Sequence, residues 1–253
     1  MALYFIGLGL HDHTDISLKG LEFVKDCAVV YMDCYTGKLN SDISKLEELC
    51  GKQIIRADRD MVEKEESILL DAKDKGVAFL VVGDPMSATT HVDLMIRAKE
   101  MGIATYTIPN ASVISAVGVT GLQVYKFGKT TSIPYPEMNY KPVSAYNVIK
   151  ENQTLGLHTL LLLDLRHNDK KYMTVNEAIK ILLDIEKDKK EGIFTEETLC
   201  IGCARLGGLP SLVKSGSAKQ LASEDFGEPV HCLIVPGKMH FMEEDAFKVW
   251  QVQ

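Results

Sequence analysis

The stretch Val77-Ala78-Phe79-Leu80-Val81-Val82-Gly83-Asp84-Pro85 decides the fold class of this chain. Its apolar part has the length of a buried strand, and it stops at a glycine-aspartate-proline turn. A helix with apolar spacing follows over 92–101 and is closed by Gly102, and another apolar strand follows over 103–108. A strand, a helix and a second strand in this order predict a parallel sheet covered by helices on both faces.

The same alternation runs back to the start of the chain. Leu3–Leu8 has the pattern of a first strand, and Leu18, Leu21 and Val24 have the spacing of a helix over Ser17–Lys25. Further strands are predicted at 28–32 and 53–56, and further helices from Ile43 to Gly51 and over 62–75. The N-terminal part is therefore predicted to be an α/β domain with a mostly parallel sheet.

The pattern changes after Ser132. Pro134 and Pro136 disfavour both a helix and a central strand, because proline lacks the backbone N–H donor, so 133–142 is the best candidate for a linker. Strands are predicted beyond it at 159–165, 198–204, 211–214 and 230–235, and helices at 143–152 and 175–188. We therefore predict two α/β domains, residues 1–132 and 133–253, with a mixed sheet in the second.

Composition and charge exclude several classes of protein. Hydrophobic residues make up 46% and charged residues 25% of the 253 residues, which excludes long disorder. The net charge of -7 argues against a nucleic-acid partner, since phosphate binding depends on lysine and arginine. No apolar run reaches the length of a membrane helix, and Met1–Leu10 has no basic residue before it, so it is predicted to be a strand and not a signal peptide. The six cysteines then favour reduced thiols and a cytoplasmic location.

Ile6-Gly7-Leu8-Gly9-Leu10 ends the first predicted strand with two closely spaced glycines. Glycines allow the backbone to approach a ligand that a side chain would block. A dinucleotide-binding loop needs a third glycine at position 12, which is Asp12 here, so the match to a nicotinamide-binding loop is weak. A plain tight turn explains the two glycines equally well.

Asp84 lies just past a buried strand, at the sheet edge where open α/β sheets bind ligands. Its carboxylate is suited to accept hydrogen bonds from the hydroxyls or the amino group of a small cofactor, or simply to form the turn. Thr89-Thr90-His91 and Asn110-Ala111-Ser112 follow strands in the same way, and each is suited to bind a ligand or to cap a helix. The spacing of these residues does not decide between ligand binding and a purely structural role as a turn or a helix cap.

Other reactive residues carry less information. His11 and His13 have no third ligand with metal-site spacing, so we interpret them as loop histidines and expect no metal. Cys200 and Cys203 have redox spacing but lie within an apolar strand, which favours buried structural cysteines. The chain also has no phosphate-binding loop and no serine elbow. A site of this kind suits a reaction in which the cofactor brings the activated group.

In order along the chain, several segments together resemble the diphthine synthases. They span nearly the whole chain, and the block from Gly83-Asp84-Pro85 to Ala88-Thr89-Thr90-His91 is the most specific. The segments are Leu3–Leu10, Asp15–Leu21, Ala57–Arg59, Val81–Pro85 with Ala88–His91, Asn110–Ser112, Gly121–Gly128, Gly156–Leu160, Thr195–Cys200 and Gly227–His231.

The resemblance implies a methyltransferase of the tetrapyrrole methylase type. Such a protein has two α/β domains with S-adenosylmethionine in the cleft between them, and it commonly forms a homodimer. Its acceptor is the amino group of a 3-amino-3-carboxypropyl arm on a histidine of translation elongation factor 2, in diphthamide biosynthesis. Carried over by position, the resemblance implies that the cofactor contacts are Leu10, Asp84, Ser87, Ser112, Val113, Leu163, Leu206 and His231.

Two positions depart from the family pattern, and the acid–base chemistry stays open. Relatives usually have glycine at His11 and Ser87, so a positive φ at either position would strain this chain. No catalytic residue is nominated. His91 or His231 is able to carry a proton near neutral pH, but loss of the amine proton to water or to the carboxylate of the arm is the favoured hypothesis.

Three rival functions remain. A tetrapyrrole methylase acting on a corrin precursor would also suit the turn at Asp84. A nicotinamide-dependent reductase would use the loop of Gly7 and Gly9, against which the missing third glycine counts. A non-catalytic binding module would have the same fold without an enzymatic activity. Binding of S-adenosylhomocysteine compared with NADH separates all but the two methylases.

Overall fold

The computed structural model describes residues 1–137, 141–167 and 169–252. The chain forms two compact units, Met1–Val113 and Ile114–Gln253. The sequence places the domain boundary between residues 132 and 133, and that boundary stays a prediction. No helix in the described parts of the chain combines the length and the apolar character needed to cross a bilayer.

The first unit contains one five-stranded sheet. Its strands are β1 (Ala2–Gly7), β2 (Val29–Asp33), β3 (Ile55–Ala57), β4 (Gly76–Val81) and β5 (Ala104–Ile108). The order across the sheet is β3-β2-β4-β1-β5, and every neighbouring pair is parallel. The predicted parallel sheet is therefore confirmed, and the ends of β4, β1 and β5 lie side by side at its carboxyl edge.

Helices cover both faces of this sheet. They are α1 (Leu18–Asp26), α2 (Ile43–Cys50), α3 (Arg59–Glu63), α4 (Ser67–Asp74) and α5 (His91–Glu100). Alternate residues of each strand point to opposite faces. Phe5 and Phe79 accordingly belong to a core with Leu94 of α5, whereas Ile6 belongs to a second core with Leu46 of α2. Two apolar faces explain why these strands have continuous apolar sequences.

The predicted helix over 62–75 is wrong in one respect, because the structure has two helices there. α3 ends at Glu63 and α4 begins at Ser67. The guanidinium of Arg97 on α5 donates to the carbonyls of Val62 and Glu65 at the break. A distant side chain therefore satisfies the backbone at the break, which a local pattern cannot reveal.

The second unit contains a mixed five-stranded sheet and a small hairpin. The strands are β6 (Thr131–Ile133), β7 (Thr159–Leu163), β8 (Leu165–Arg166), β9 (Lys171–Tyr172), β10 (Leu199–Ala204), β11 (Leu212–Ser217) and β12 (His231–Val235). The sheet order is β11-β10-β12-β7-β6, with only β6 and β7 parallel among its neighbours, and β8 pairs with β9. The predicted mixed sheet is confirmed. Strand β6 stops just before Pro134, at an edge where proline is tolerated.

Five helices belong to this half of the chain or join it to the first. They are α6 (Val113–Ala116), α7 (Ser144–Thr154), α8 (Val175–Lys189), α9 (Ala218–Leu221) and α10 (Phe241–Val249). Helix α8 begins with a capping box between Thr174 and Glu177, and it buries Ala178, Leu182 and Ile185 in the core of the unit. The predicted helix over 175–188 is therefore confirmed.

The two cysteines with redox spacing lie in β10, and both are fully buried. Residues three apart on a strand point to opposite faces, so Cys200 and Cys203 cannot act together as a dithiol. Burial also raises the pKa of the Cys200 thiol far above its ordinary value. The interpretation of these residues as structural cysteines is confirmed.

Candidate functional site

The five site residues predicted in the first unit lie at one edge of its sheet. Leu10 follows β1, Asp84 and Ser87 follow β4, and Ser112 with Val113 follows β5. Because β4, β1 and β5 are adjacent and parallel, their carboxyl ends meet at the same edge. This is the edge at which open α/β sheets bind ligands.

The loops after β1 and β4 are joined through their backbones. The amide of Leu8 donates to the carbonyl of Val81 at 2.8 Å, and the amide of Gly83 donates to the carbonyl of Gly9 at 2.6 Å. Gly9 and Gly83 both have φ of +82°, a conformation that other residues adopt at a cost. A β-carbon at Gly9 would lie 2.5 Å from Cβ of Asp15. The second glycine of the loop is therefore required by the turn itself.

Asp15 holds the loop that carries Leu10, and sequence reasoning did not identify it as a site residue. Its Oδ2 accepts hydrogen bonds from the amides of Leu10 at 3.2 Å and His11 at 2.8 Å. Asn110 adds a second bridge, because its Nδ2 donates to the carbonyls of Gly7 at 2.9 Å and Asp15 at 3.0 Å. The sequence offered one signal for each residue: Asp15 follows the glycine loop after β1, and Asn110 follows β5.

Asp84 forms the turn after β4. Its Oδ1 accepts from the amide of Met86 and from the hydroxyl of Ser87, both at 3.0 Å, and its Oδ2 accepts from the amide of Asn110 at 3.3 Å. The turn-forming interpretation of Asp84 is therefore confirmed. The side chain is half-buried, so part of it faces solvent. Its contact with a cofactor stays a prediction.

The two departures from the family pattern cause no backbone strain. Among the described non-glycine residues of the first unit, Ala88 alone has a positive φ, of 59°. His11 and Ser87 have ordinary negative φ, so neither β-carbon distorts its turn. The strain expected from a positive φ therefore does not arise at either position.

His91 is fully buried beneath this turn. Its Nδ1 lies 3.1 Å from the carbonyl oxygen of Pro85, and its Nε2 lies 3.5 Å from Oδ2 of Asp33 at the end of β2. Burial alone would raise the pKa of Asp33, but the neighbouring imidazole of His91 and the hydrogen bonds from Thr36 and the amide of Tyr35 outweigh it and lower the pKa. A side chain without solvent contact is poorly placed to pass a proton to an acceptor.

The three site residues predicted in the second unit also lie at one sheet edge. Leu163 ends β7, His231 begins β12, and Leu206 follows β10 by two residues. In the sheet β12 lies between β10 and β7 and is antiparallel to both, so the start of β12 meets the ends of its two neighbours. All three residues are buried.

Both ring nitrogens of His231 have partners within the unit. Nδ1 accepts from the amide of Val175 at 3.4 Å, and Nε2 donates to the carbonyls of Gly227 at 3.2 Å and Glu228 at 3.1 Å. Burial lowers the pKa of His231, which favours the neutral ring. The imidazole therefore orders the strand start, and a proton-carrying role for it has no support in this geometry.

Arg205 fixes the loop that carries Leu206, and sequence reasoning missed it as well. Its guanidinium donates to the carbonyls of Phe226 at 2.9 Å, Pro210 at 3.3 Å and Glu228. Its own φ is 55°, so the chain turns sharply directly after β10. The only signal for Arg205 in the sequence was its position directly after the apolar strand β10.

Glu243 joins two of the segments that carry the family resemblance. Its buried carboxylate accepts from the amide of Gln123 at 2.9 Å, from Nε2 of His158 at 3.0 Å and from Nζ of Lys126. The amide of His240 adds a fourth hydrogen bond at 2.7 Å. Segments 121–128 and 156–160 are therefore held together by one residue of α10.

The carboxylate and the hydroxyls among the predicted site residues lie in the first unit, and each unit also contributes apolar side chains. Asp84 contributes a carboxylate and Ser87 and Ser112 contribute hydroxyls, while Leu10, Val113, Leu163 and Leu206 are apolar. Polar groups of this kind recognise hydroxyl and amino groups, and the apolar side chains suit a flat heterocycle. Within the described ranges no group of three or more His, Cys, Asp or Glu residues is arranged to hold a metal ion.

Comparison with known proteins gives consistent results. The family model of the tetrapyrrole (corrin/porphyrin) methylases matches residues 2–221. The diphthine synthase of Methanocaldococcus jannaschii is 51% identical over 250 residues, which cover 97% of each chain. The probable diphthine methyl ester synthase of Arabidopsis thaliana is 45% identical in an alignment that covers 98% of each chain. The crystal structure of a putative diphthine synthase from Entamoeba histolytica has a TM-score of 0.93 at 40% identity, covering 100% of this chain and 99% of that one.

Proposed function

This chain belongs to the tetrapyrrole methylase family, and from its diphthine synthase relatives we infer that it is an S-adenosylmethionine-dependent methyltransferase of diphthamide biosynthesis. The observation that carries this inference is the near full-length match to diphthine synthases, together with the strand-end loops at which the matching segments lie. Its acceptor is the amino group of the aminocarboxypropyl-histidine of translation elongation factor 2. The rival reductase and binding-module functions have no support of this kind.

The residues at the strand ends fit S-adenosylmethionine. A β-carbon added at Gly83 would meet nothing closer than the carbonyl of Ala111 at 3.9 Å, so no protein atom packs tightly against this side of the buried glycine. The half-buried carboxylate of Asp84 lies beside it, with hydroxyls at Ser87 and Ser112. An amino acid and a ribose need such acceptors, and an adenine ring needs apolar neighbours.

We assign the cofactor contacts to the residues that the resemblance implies. Asp84 accepts from a hydroxyl or amino group, Ser87 and Ser112 supply polar contacts, and the leucines with Val113 pack on apolar parts. The full set is Leu10, Asp84, Ser87, Ser112, Val113, Leu163, Leu206 and His231. For His231 the ring is already occupied, so its contact is through the backbone.

The mechanism depends on orientation. The sulfonium of the bound cofactor makes its methyl group electrophilic, so the residues of this chain have to hold the acceptor amine in line and exclude water. Asp15, Asn110 and Arg205 keep the loops that carry Leu10, Asp84 and Leu206 in place. The amine loses its proton to water or to the carboxylate of its own arm, since the buried rings of His91 and His231 are engaged in internal contacts.

The decisive experiment uses the acceptor. We expect the chain and S-adenosylmethionine to methylate elongation factor 2 that carries the aminocarboxypropyl-histidine, but not the unmodified factor, whose imidazole lacks the amine and falls short of the methyl group. Intact-mass spectrometry then counts added methyl groups on each form. Labelling of both forms alike, or of neither while a corrin precursor is methylated, would overturn the proposal.

Asp84 tests the cofactor assignment. We expect Asp84→Ala to weaken the binding of S-adenosylhomocysteine about ten- to a hundredfold, because one charge-assisted hydrogen bond contributes about 1.5–3 kcal/mol. Asp60→Ala is the control, since it removes the same charge from an exposed helix position. Calorimetry measures both affinities. Equal affinity in wild type and Asp84→Ala would leave Asp84 as a turn former alone.

We further propose that the chain is a cytoplasmic homodimer. The cytoplasm is supported by the free, mostly buried cysteines. A dimer is supported by the exposed apolar side chains of Val119, Val124 and Tyr125, since contiguous exposed apolar groups usually mark an interface. Light scattering at micromolar concentration should give about twice the chain mass of 28.1 kDa. A mass of one chain across that range would contradict this.

A further inference from the structure

Asp33 and His91 form a buried polar pair at the carboxyl edge of the first sheet. Both side chains have 0% exposure, and His91 Nε2 lies 3.5 Å from Asp33 Oδ2. A buried carboxylate is costly unless several donors satisfy it. Asp33 has such donors in the amides of Tyr35 at 2.9 Å and Thr36 at 3.2 Å and in the hydroxyl of Thr36. The carboxylate is therefore a fixed point of the β2 end.

His91 lies between this fixed point and the turn after β4, and it is hydrogen-bonded to the turn. A carbonyl oxygen only accepts hydrogen bonds, so Nδ1 of His91 carries a proton and donates to Pro85 at 3.1 Å. The ring stands edge-on to Phe79, with centroids 5.1 Å apart, which fixes its plane. The first residue of α5 thus donates to the backbone of the Asp84–Ser87 turn, while its Nε2 lies beside Asp33 with no hydrogen bond between them.

The internal hydrogen bonds of the turn do not attach it to the sheet. Asp84 bonds to Met86 and Ser87, and the hydroxyl of Thr89 donates to the carbonyl of Pro85 at 2.8 Å, all within the loop. These bonds set the shape of the turn. The amide of Asn110 attaches the turn on the β5 side through Oδ2 of Asp84, and His91 attaches it from α5 through the carbonyl of Pro85, with its ring plane fixed by Phe79.

We propose that His91 is a positioning residue for cofactor binding. Through its hydrogen bond to Pro85 it keeps the Asp84–Ser87 turn in the position in which the turn contacts the cofactor. The proposal rests on the proposed function, because it takes this turn as the cofactor contact. Phe79 acts one step further back by fixing the plane of the ring. If the ring served only as core packing, loss of the Nδ1 donor and loss of Nε2 would have the same effect on cofactor binding.

Two matched variants separate the nitrogens. His91→Asn places an amide nitrogen near the site of Nδ1 and keeps a donor for Pro85, whereas His91→Gln places its amide nitrogen near the site of Nε2, beside Asp33, and leaves Pro85 without this donor. Both leave part of the ring volume empty, so both lower the melting temperature. Positioning predicts that His91→Asn binds S-adenosylhomocysteine within about threefold of wild type, while His91→Gln binds at least about tenfold more weakly.

The ligand-free protein gives an independent measurement. Amide hydrogen exchange at Met86, Ser87 and Ala88 should be at least about tenfold faster in His91→Gln than in His91→Asn, because only the former releases the turn. Equal exchange and equal affinity in the two variants, or affinities that merely follow melting temperature, would overturn the positioning role. If wild type failed to bind S-adenosylhomocysteine, the proposed function would fall, and the exchange measurement would still decide whether His91 holds the turn.

Discussion

Replacing Glu243 by alanine should lower the free energy of unfolding by about 3–5 kcal/mol, the cost of breaking a buried, hydrogen-bonded ion pair. The substitution would remove the acceptor for the amide of Gln123, for Nε2 of His158 and for Nζ of Lys126. It would therefore leave the part-buried amide of Gln123 without its acceptor and Lys126 with the carbonyl of Lys238 alone. Urea denaturation followed by circular dichroism measures the change.

Glu244→Ala is the matched control for this prediction. Glu244 is the next residue of the same helix and is exposed, so its removal should change stability by no more than about 0.5 kcal/mol. Equal effects of the two substitutions would show that the network around Glu243 contributes nothing.

The same residue gives a pH dependence. Burial opposes ionisation of Glu243, but the hydrogen bonds from Lys126, the two amides and His158 outweigh it and lower its pKa from 4.5 to about 2. A lowered pKa in the folded state contributes stability that is present above pH 4.5 and is lost as the pH falls towards about 2. The stability advantage of wild type over Glu243→Gln should therefore shrink by about 3 kcal/mol across that interval.

The second large effect is expected at Gly7. A β-carbon there would lie 2.6 Å from Cβ of Asn110 and 2.7 Å from the carbonyl oxygen of Gly83, so the loops after β4 and β5 must move. We expect Gly7→Ala to cost about 1–3 kcal/mol in stability through overpacking. Methyl transfer should fall about a hundredfold, since a displacement of about 1 Å in a positioned group has that effect.

Gly76→Ala is the control for Gly7. Gly76 begins the neighbouring strand β4, its φ is not in the left-handed region, and the nearest atom to an added β-carbon lies 3.8 Å away. Stability and single-turnover methylation of the two variants are compared under the same conditions. A Gly7→Ala protein as active as Gly76→Ala would mean that the strand-end loops need not hold their positions.

The sequence was sufficient to predict the fold because its strands are short, apolar and bounded by glycine or proline. The pattern around Val77–Pro85 led directly to the parallel sheet, and the closely spaced late strands led to the mixed one. The same reasoning missed α10 and the hairpin of β8 and β9. The hairpin strands have two residues each, too few to show a period.

The candidate site was only partly predictable. Asp84 could be located from its place after a strand, but its partner Asn110 could not, because hydrogen bonds between loops of different strands have no sequence period. The bond from Arg97 to the end of α3 spans 35 residues and the contact between His158 and Glu243 spans 85. Single-sequence patterns report local structure, so such long-range polar contacts appear only in the fold.

The position of Glu243 in the chain also affects how the protein is made. The strands of the first unit are complete by Ile108, so that unit has all of its sheet while the rest of the chain is still being translated. Their acceptor Glu243, by contrast, is synthesised 120 residues after Gln123 and 117 residues after Lys126. Domains form as units during synthesis, at about 5–20 residues per second, so the second unit spends several seconds on the ribosome with this lysine and this amide unpaired. Nascent chains stalled before Glu243 should therefore be more sensitive to protease in the second unit than in the first.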